Sequence, residues 1–206
     1  DKGWDYKITP AMTRMTGKCF GIIGLGRIGT AAAMRAKGFG MNVMAYDPFV
    51  PYGQELALNV ERAYNLDELL RTADFISIHT PATELTYHLI NQDTVSKMKP
   101  GVIIVNTARG PICDLDAIYN GLKSGQIGAA GLDVFDPEPP DVNHPLMLAW
   151  RGREAWLEGR FVATPHAAFF SPTSSKILRE KALQTCLDYL KNNELRNCVN
   201  AEHLVI

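Results

Sequence analysis

Six short apolar runs rich in Val and Ile, alternating with amphipathic stretches, constrain this chain more than any other feature of its sequence. A strand buried on both faces reads as a continuous apolar run, and consecutive parallel strands need a crossover between them. The alternation therefore specifies an α/β fold, a parallel sheet covered by helices on both faces. Strands are predicted at Cys19–Leu25, Asn42–Asp47, Phe75–Thr80, Val102–Thr107, Ile127–Val134 and Phe161–Thr164. Helices are expected at Ile28–Phe39, Leu66–Thr72, Asp93–Met98 and Asp114–Ser124, the last ended by Gly125. After Pro172 a long helix is expected over Thr173–Lys191. There Ile177, Leu178, Ala182, Leu183, Cys186, Leu187 and Leu190 recur at helical spacing, an apolar face that needs something to pack against. Residues 136–160 read as a Pro-rich loop with a short helix carrying Trp150 and Trp156.

The string Gly24-Leu25-Gly26-Arg27-Ile28-Gly29 closes the first strand and opens the first helix, the context in which a G-x-G-x-x-G spacing carries meaning. Without side chains at Gly24 and Gly26 the backbone turns sharply and can approach a pyrophosphate, whose charge meets unpaired amides at the helix N-terminus. Gly29 lets helix and strand pack closely. Asp47 ends the next strand, where a carboxylate accepts hydrogen bonds from ribose hydroxyls and repels a 2′-phosphate. Strand, turn, helix, strand and acid come in the order of a Rossmann-type doubly wound parallel sheet, and NAD is favoured over NADP. A glycine turn that only packs a helix, with an Asp that only ends a strand before Pro48, is the plainer alternative.

Charge and cysteine usage narrow the partners. The 21 basic and 22 acidic residues are spread along the 206, so no basic stripe faces a nucleic acid. The four cysteines, Cys19, Cys113, Cys186 and Cys198, are isolated and lack metal-ligand spacing, which suggests neither a zinc site nor a disulfide framework. No apolar run has the length of a membrane span. The expectation is a cytoplasmic protein that binds no metal, nucleic acid or membrane.

In open parallel sheets ligands sit beyond the carboxyl ends of the strands, which gives weight to the polar residues found there. Val105-Asn106-Thr107-Ala108-Arg109-Gly110 ends one strand with a cation. Gly131-Leu132-Asp133-Val134-Phe135-Asp136-Pro137-Glu138-Pro139 ends another with acids, and Ala163-Thr164-Pro165-His166 ends the last with an imidazole. Taken singly, Arg109 reads equally as a solvated loop residue, Glu138 as an exposed turn residue and His166 as a strand end. Together with the glycine turn, Trp4 and His79-Thr80-Pro81, these strings resemble the D-isomer-specific 2-hydroxyacid dehydrogenases over nearly the whole chain. The strings His166-Ala167-Ala168-Phe169-Phe170-Ser171 and Leu195-Arg196-Asn197-Cys198-Val199-Asn200 look most like the branch that contains the C-terminal binding proteins, dehydrogenase-like corepressors.

The resemblance implies roles. Arg109 would hold the substrate's carboxylate and carbonyl oxygen, His166 would be general acid and base, and Glu138 would pair with His166 and orient its ring. Gly24, Gly26, Arg27, Ile28, Gly29 and Asp47 would bind NAD with Pro81, Thr107, Ala108, Arg109, Asp133 and His166, Asp133 taking the nicotinamide carboxamide. Many relatives carry Gly where this chain has Ala168, a departure close to the nicotinamide contacts. His79, His88, His144 and His203 are left as structural or surface residues. Phe169 reads either as a wall of an apolar substrate pocket or as a core aromatic.

The implied activity is NAD-dependent interconversion of a small 2-keto acid and a D-2-hydroxy acid. The alternative is an NAD(H)-sensing interaction protein like the corepressor relatives, which the residues Arg109, Glu138 and His166 do not separate from the enzyme. Residues 1–168 are expected to form the NAD-binding domain with an N-terminal interdomain helix. Residues 169–206 would belong partly to a substrate domain whose N-terminal part is missing, so that the chain is expected to be a fragment that binds NAD(H) and turns over poorly. A homodimer is expected through the cofactor domains, with the N-terminal segment and the helix Asp114–Ser124 as candidate contacts.

Overall fold

A computed structural model describes residues 13–196 and 198. Trp4 with the helix expected around it, and Asn197, Val199, Asn200 and His203, lie outside the described residues. The chain divides into two units, Asp1–His166 and Ala167–Ile206.

The first unit is built on seven parallel strands: β1 (Cys19–Ile23), β2 (Asn42–Tyr46), β3 (Glu61–Arg62), β4 (Phe75–Ile78), β5 (Val102–Asn106), β6 (Ile127–Leu132) and β7 (Phe161–Ala163). Their order is β3-β2-β1-β4-β5-β6-β7. From β1 the chain moves outward through β2 and β3, then returns to the other side of β1 and moves outward again through β4 to β7. The loops that follow β1 and β4 therefore diverge, which opens a crevice at the carboxyl ends of the strands. Six strands were expected, and the seventh, β3, carries only Glu61 and Arg62, too short and too polar to leave a periodic signal; it pairs with Met44 and Ala45 of β2 at the sheet edge. Each expected strand runs one to two residues past the paired segment, the overshoot falling on the loop residues at the carboxyl ends.

Helices α1 (Arg27–Gly38), α2 (Gln54–Ala57), α3 (Leu66–Thr72), α4 (Gln92–Ser96), α5 (Leu115–Ser124) and α6 (Pro145–Arg151) complete the unit. Neighbouring residues of a strand point to opposite faces, and the core divides accordingly. Ile22, Val43 and Ala45 pack with Ala33 and Ala36 of α1 in one cluster. Ile23, Met44, Ile76, Ile78 and Ile104 belong to the other, with Leu69 and Leu70 of α3, Val95 of α4 and Ile118 and Leu122 of α5. The apolar face of α5 is thus covered inside the chain. Asp114, expected as its first residue, is its cap instead, accepting from the amide of Asp116, and Gly125 closes it at φ 83°. In the segment 136–160, Trp150 sits on α6 and Trp156 on a separate 3-10 turn, Ala155–Leu157.

In the second unit, α7 (Pro172–Asn192) begins with a capping box between Ser171 and Ser174. None of the helix residues is buried: Ile177, Leu178, Leu183, Leu187 and Leu190 of the expected apolar face are all exposed. No helix among the described residues is long and apolar enough to cross a membrane, and no group of His, Cys, Asp and Glu among them could hold a metal ion.

Candidate functional site

Because all strands run the same way, every turn singled out in the sequence emerges at one edge of the sheet. At the end of β1, Gly24 adopts φ +93°, and its amide donates to the carbonyl of Tyr46 at 2.9 Å. A Cβ on Gly24 would stand 2.8 Å from the backbone of His79 after β4. A Cβ on Gly29 would stand 2.0 Å from the carbonyl oxygen of Gly24, so the first turn of α1 rests directly on the glycine turn. Gly26 differs: its Cβ would meet nothing within 4 Å. It is also the N-cap of α1 and supplies no side-chain cap, so no side chain competes for the amides of Arg27, Ile28 and Gly29. Open space above uncapped amides is what an anion at a helix N-terminus requires.

Asp47 stands beside this turn. Its Oδ2 accepts from the amide of Leu25 at 2.8 Å and its Oδ1 from the amide of Phe49 at 2.9 Å. The carboxylate is therefore oriented by two backbone donors, and each oxygen retains a second lone pair for a diol. The residues present fit a dinucleotide: a turn that gives backbone access, a helix end for the pyrophosphate and an oriented acid for a ribose.

Across the crevice, β5, β6 and β7 bring the second group together. Nδ1 of His166 contacts Oε2 of Glu138 at 2.9 Å, and Oε1 of Glu138 accepts from the amide of Phe135 at 3.0 Å. An ionised carboxylate only accepts, so Nδ1 donates to Glu138 and carries the hydrogen. The hydrogen bond from His166, with that from the Phe135 amide, holds the Glu138 carboxyl below its ordinary range. His166 takes φ 51°, a left-handed conformation uncommon outside glycine, and its amide is held by the carbonyl of Asp133 at 2.7 Å. Asp133 is buried, and its Oδ1 accepts from the hydroxyl of Thr164. An apolar cavity of about 480 Å³, lined by Phe135, Met147, Trp150 and Pro165, adjoins the Glu138–His166 pair.

Arg109 is exposed on the β5 loop, its Nη1 donating to the carbonyl of Ala108 at 2.6 Å. Thr107 and Ala108 precede it on the same loop, and Pro81 is exposed in the loop after β4. The backbone following Arg109 touches the backbone that precedes Glu138: a Cβ on Gly110 would fall 1.9 Å from the carbonyl oxygen of Phe135. Of the histidines left aside, His79 shares a 2.9 Å hydrogen bond with Ser77, and burial pushes its pKa down. His144 caps α6 through Nδ1 and contacts Asp116 through Nε2, and His88 stacks on Tyr87.

Asn106 escaped sequence reasoning. It is fully buried, its Nδ2 donates to the carbonyl of Arg109 at 2.9 Å, and its Oδ1 accepts from the amide of Ala108 at 2.9 Å. Its own carbonyl accepts from the amide of Asp133 at 3.0 Å, so one side chain shapes the Arg109 loop while its backbone anchors β6. The signal existed: Val102, Ile104 and Asn106 lie on one face of β5 at a period of two, which places an amide in the core. An Asn106→Ala chain is expected to lose about 2 kcal/mol of stability, because the loop groups it pairs are left unsatisfied. Urea unfolding measures this, and a loss under about 0.5 kcal/mol would mean that water replaces the side chain without cost.

Comparison with known proteins places these features in a family. Residues 1–168 match the model described as D-isomer specific 2-hydroxyacid dehydrogenase, NAD binding domain. The chain is 40% identical over 186 residues to a glyoxylate reductase of Korarchaeum cryptofilum, covering 90% of this chain and 53% of the relative. It is 37% identical over 201 residues to a D-3-phosphoglycerate dehydrogenase of Methanocaldococcus jannaschii, covering 98% and 36%. Among solved structures, a glyoxylate reductase from Paecilomyes thermophila superposes with a TM-score of 0.80 at 31% identity, covering 92% of this chain and 54% of that one. The chain thus spans about half or less of the length of these relatives.

Proposed function

The chain belongs to the D-isomer specific 2-hydroxyacid dehydrogenase family and carries its NAD-binding domain, and from that premise we propose that the protein interconverts a small 2-keto acid and a D-2-hydroxy acid. The observation that carries the proposal is the 2.9 Å contact between His166 and Glu138 on the same sheet edge as the glycine turn. When bound, NAD supplies the hydride acceptor, and NADH the donor, for the substrate carbon. The protein supplies binding, orientation and a proton.

In this reading, the amides at the start of α1 bind the pyrophosphate and Asp47 accepts from the adenosine ribose. Asp133, with Thr107, Ala108 and Pro81, lines the nicotinamide end. Arg109 holds the substrate's carboxylate and carbonyl oxygen in its planar fork, swinging from the Ala108 carbonyl to do so. His166 delivers a proton from Nε2 to that oxygen in reduction and removes it in oxidation, while Glu138 keeps the hydrogen on Nδ1 and the ring aimed. The break between units after His166 supports reading residues 1–168 as the NAD-binding domain and 169–206 as partly of the substrate domain.

Calorimetric titration with NADH and with NADPH tests the cofactor half. NADH is expected to bind far more tightly than NADPH, and Asp47→Ala is expected to weaken NADH about 30-fold, the loss of charge-assisted hydrogen bonds worth about 2 kcal/mol. An unchanged NADH affinity in that variant would leave Asp47 a structural acid and the cofactor assignment without its anchor.

A further inference from the structure

Beside Asp47 lies a charge pair that this reading leaves without a role. Glu55 on α2 and Arg62 on β3 have side chains only 10% and 13% exposed, and Nη1 of Arg62 donates to Oε2 of Glu55 at 3.3 Å. Nη2 of Arg62 donates to the carbonyl of Val50 at 2.6 Å and reaches that of Asp47 itself at 3.4 Å. The guanidinium carbon lies 4.3 Å from the ring centroid of Tyr52. Glu55 also accepts from the amide of Gly53, 3.2 Å from each carboxylate oxygen. Its own backbone amide, the Gly53 amide and the Arg62 charge lower its pKa against the opposing effect of burial, so the pair is ionised.

The charges at this end of the crevice decide which dinucleotide is tolerated. Asp47, Glu55 and Arg62 sum to one net negative charge, which disfavours a 2′-phosphate. Yet Arg62 is a cation already in contact with the backbone of the ribose-binding residue, and guanidinium is well suited to phosphate. What silences it is Glu55, which neutralises its charge and occupies one of its nitrogens.

We propose that Glu55 is a second determinant of cofactor choice, acting by latching Arg62 beneath the Asp47–Val50 turn and so withholding it from a 2′-phosphate. The proposal rests on the assignment of Asp47 to the adenosine ribose. Replacing Asp47 alone removes a repulsion but leaves Arg62 neutralised, whereas replacing both acids also removes the carboxylate that offsets its charge. The two substitutions are therefore coupled through Arg62.

The test is a set of calorimetric titrations with NADH and with NADPH. The chains are wild type, Asp47→Ser, Glu55→Gln, the double variant, and the double variant with Arg62→Gln added. Gln at 55 can still accept from Gly53, and thermal unfolding monitors each chain. NADPH affinity relative to NADH is expected to rise at least tenfold more in the double variant than the two single changes together provide, and Arg62→Gln is expected to cancel that excess. Additive singles, or an excess that survives Arg62→Gln, would overturn the latch. If the multiple variants do not fold, Glu55→Gln alone decides, with a relative gain for NADPH of threefold or more expected and none overturning the proposal. A wild-type chain that binds no NADH, or an Asp47→Ser chain that keeps full NADH affinity, would instead overturn the assignment of Asp47.

Discussion

A Gly29→Ala chain is expected to bind NADH on the order of a hundredfold more weakly than the wild type and to unfold more easily. The methyl group would stand 2.0 Å from the carbonyl oxygen of Gly24 and 3.2 Å from Cγ2 of Ile22, and the first of these neighbours is backbone that cannot rotate away. The first turn of α1 must therefore lift from the glycine turn. Overpacking of this kind costs roughly 1–3 kcal/mol, and misplacing a pre-organised group by about an ångström costs on the order of a hundredfold in its function. Gly26 provides the contrast, since its Cβ would enter open space. Alanine there is expected to cost no more than the roughly 1 kcal/mol of a weakened N-cap and still to weaken NADH, because that space is where the pyrophosphate would lie. Thermal unfolding and NADH titration of both chains separate the two effects. A Gly29→Ala chain that keeps NADH affinity within about threefold would show that the close approach is not what positions the amides.

The second large effect is expected at His166. On the proposed reading, His166→Asn is expected to lower the rate of NADH-dependent 2-keto acid reduction by about 10²- to 10⁴-fold, the usual worth of a positioned proton donor. Asparagine is chosen because it tolerates the left-handed backbone at φ 51° that this position imposes, so folding is not the variable. Glu138→Gln is expected to fall between, since an amide oxygen still accepts from Nδ1 while the charge is gone. The pH dependence follows from the direction of the Glu138 shift. Its carboxyl is held down chiefly by the hydrogen bond from His166, so the pair is intact above the ordinary glutamate range and persists as pH falls through it. It is lost only when pH falls through the lower, folded-state value. Both side chains are about two-fifths exposed, 41% and 39%, so the pair adds little to stability and its effect is read in the rate. Steady-state rates and NADH affinity measured on the same chains decide the matter. A His166→Asn chain whose rate falls no further than its NADH affinity would remove His166 from proton transfer.

What the sequence determined by itself is what local physics encodes. Apolar runs buried on both faces specified the parallel sheet, and the helix expected over Leu66–Thr72 coincides with α3, which Asn65 caps and Ala73 ends in an extended conformation. Gly24, Gly26 and Gly29 announced a turn because they lie between an expected strand and an expected helix, with Asp47 at the end of the next strand. The pairing of Glu138 with His166 was accessible through family resemblance, not through spacing, because 28 residues separate them. β3 was not legible, since two polar residues form a strand only when β2 is there to pair with them. The tertiary structure alone decided the rest. The approach of Gly110 to Phe135 and the latch of Glu55 on Arg62 both arise between loops or edge elements brought together by the sheet. Periodicity and capping report how each segment meets its own neighbours in the chain. Which backbone atoms crowd a Cβ, and which carbonyls a guanidinium reaches, is set by strand order and register.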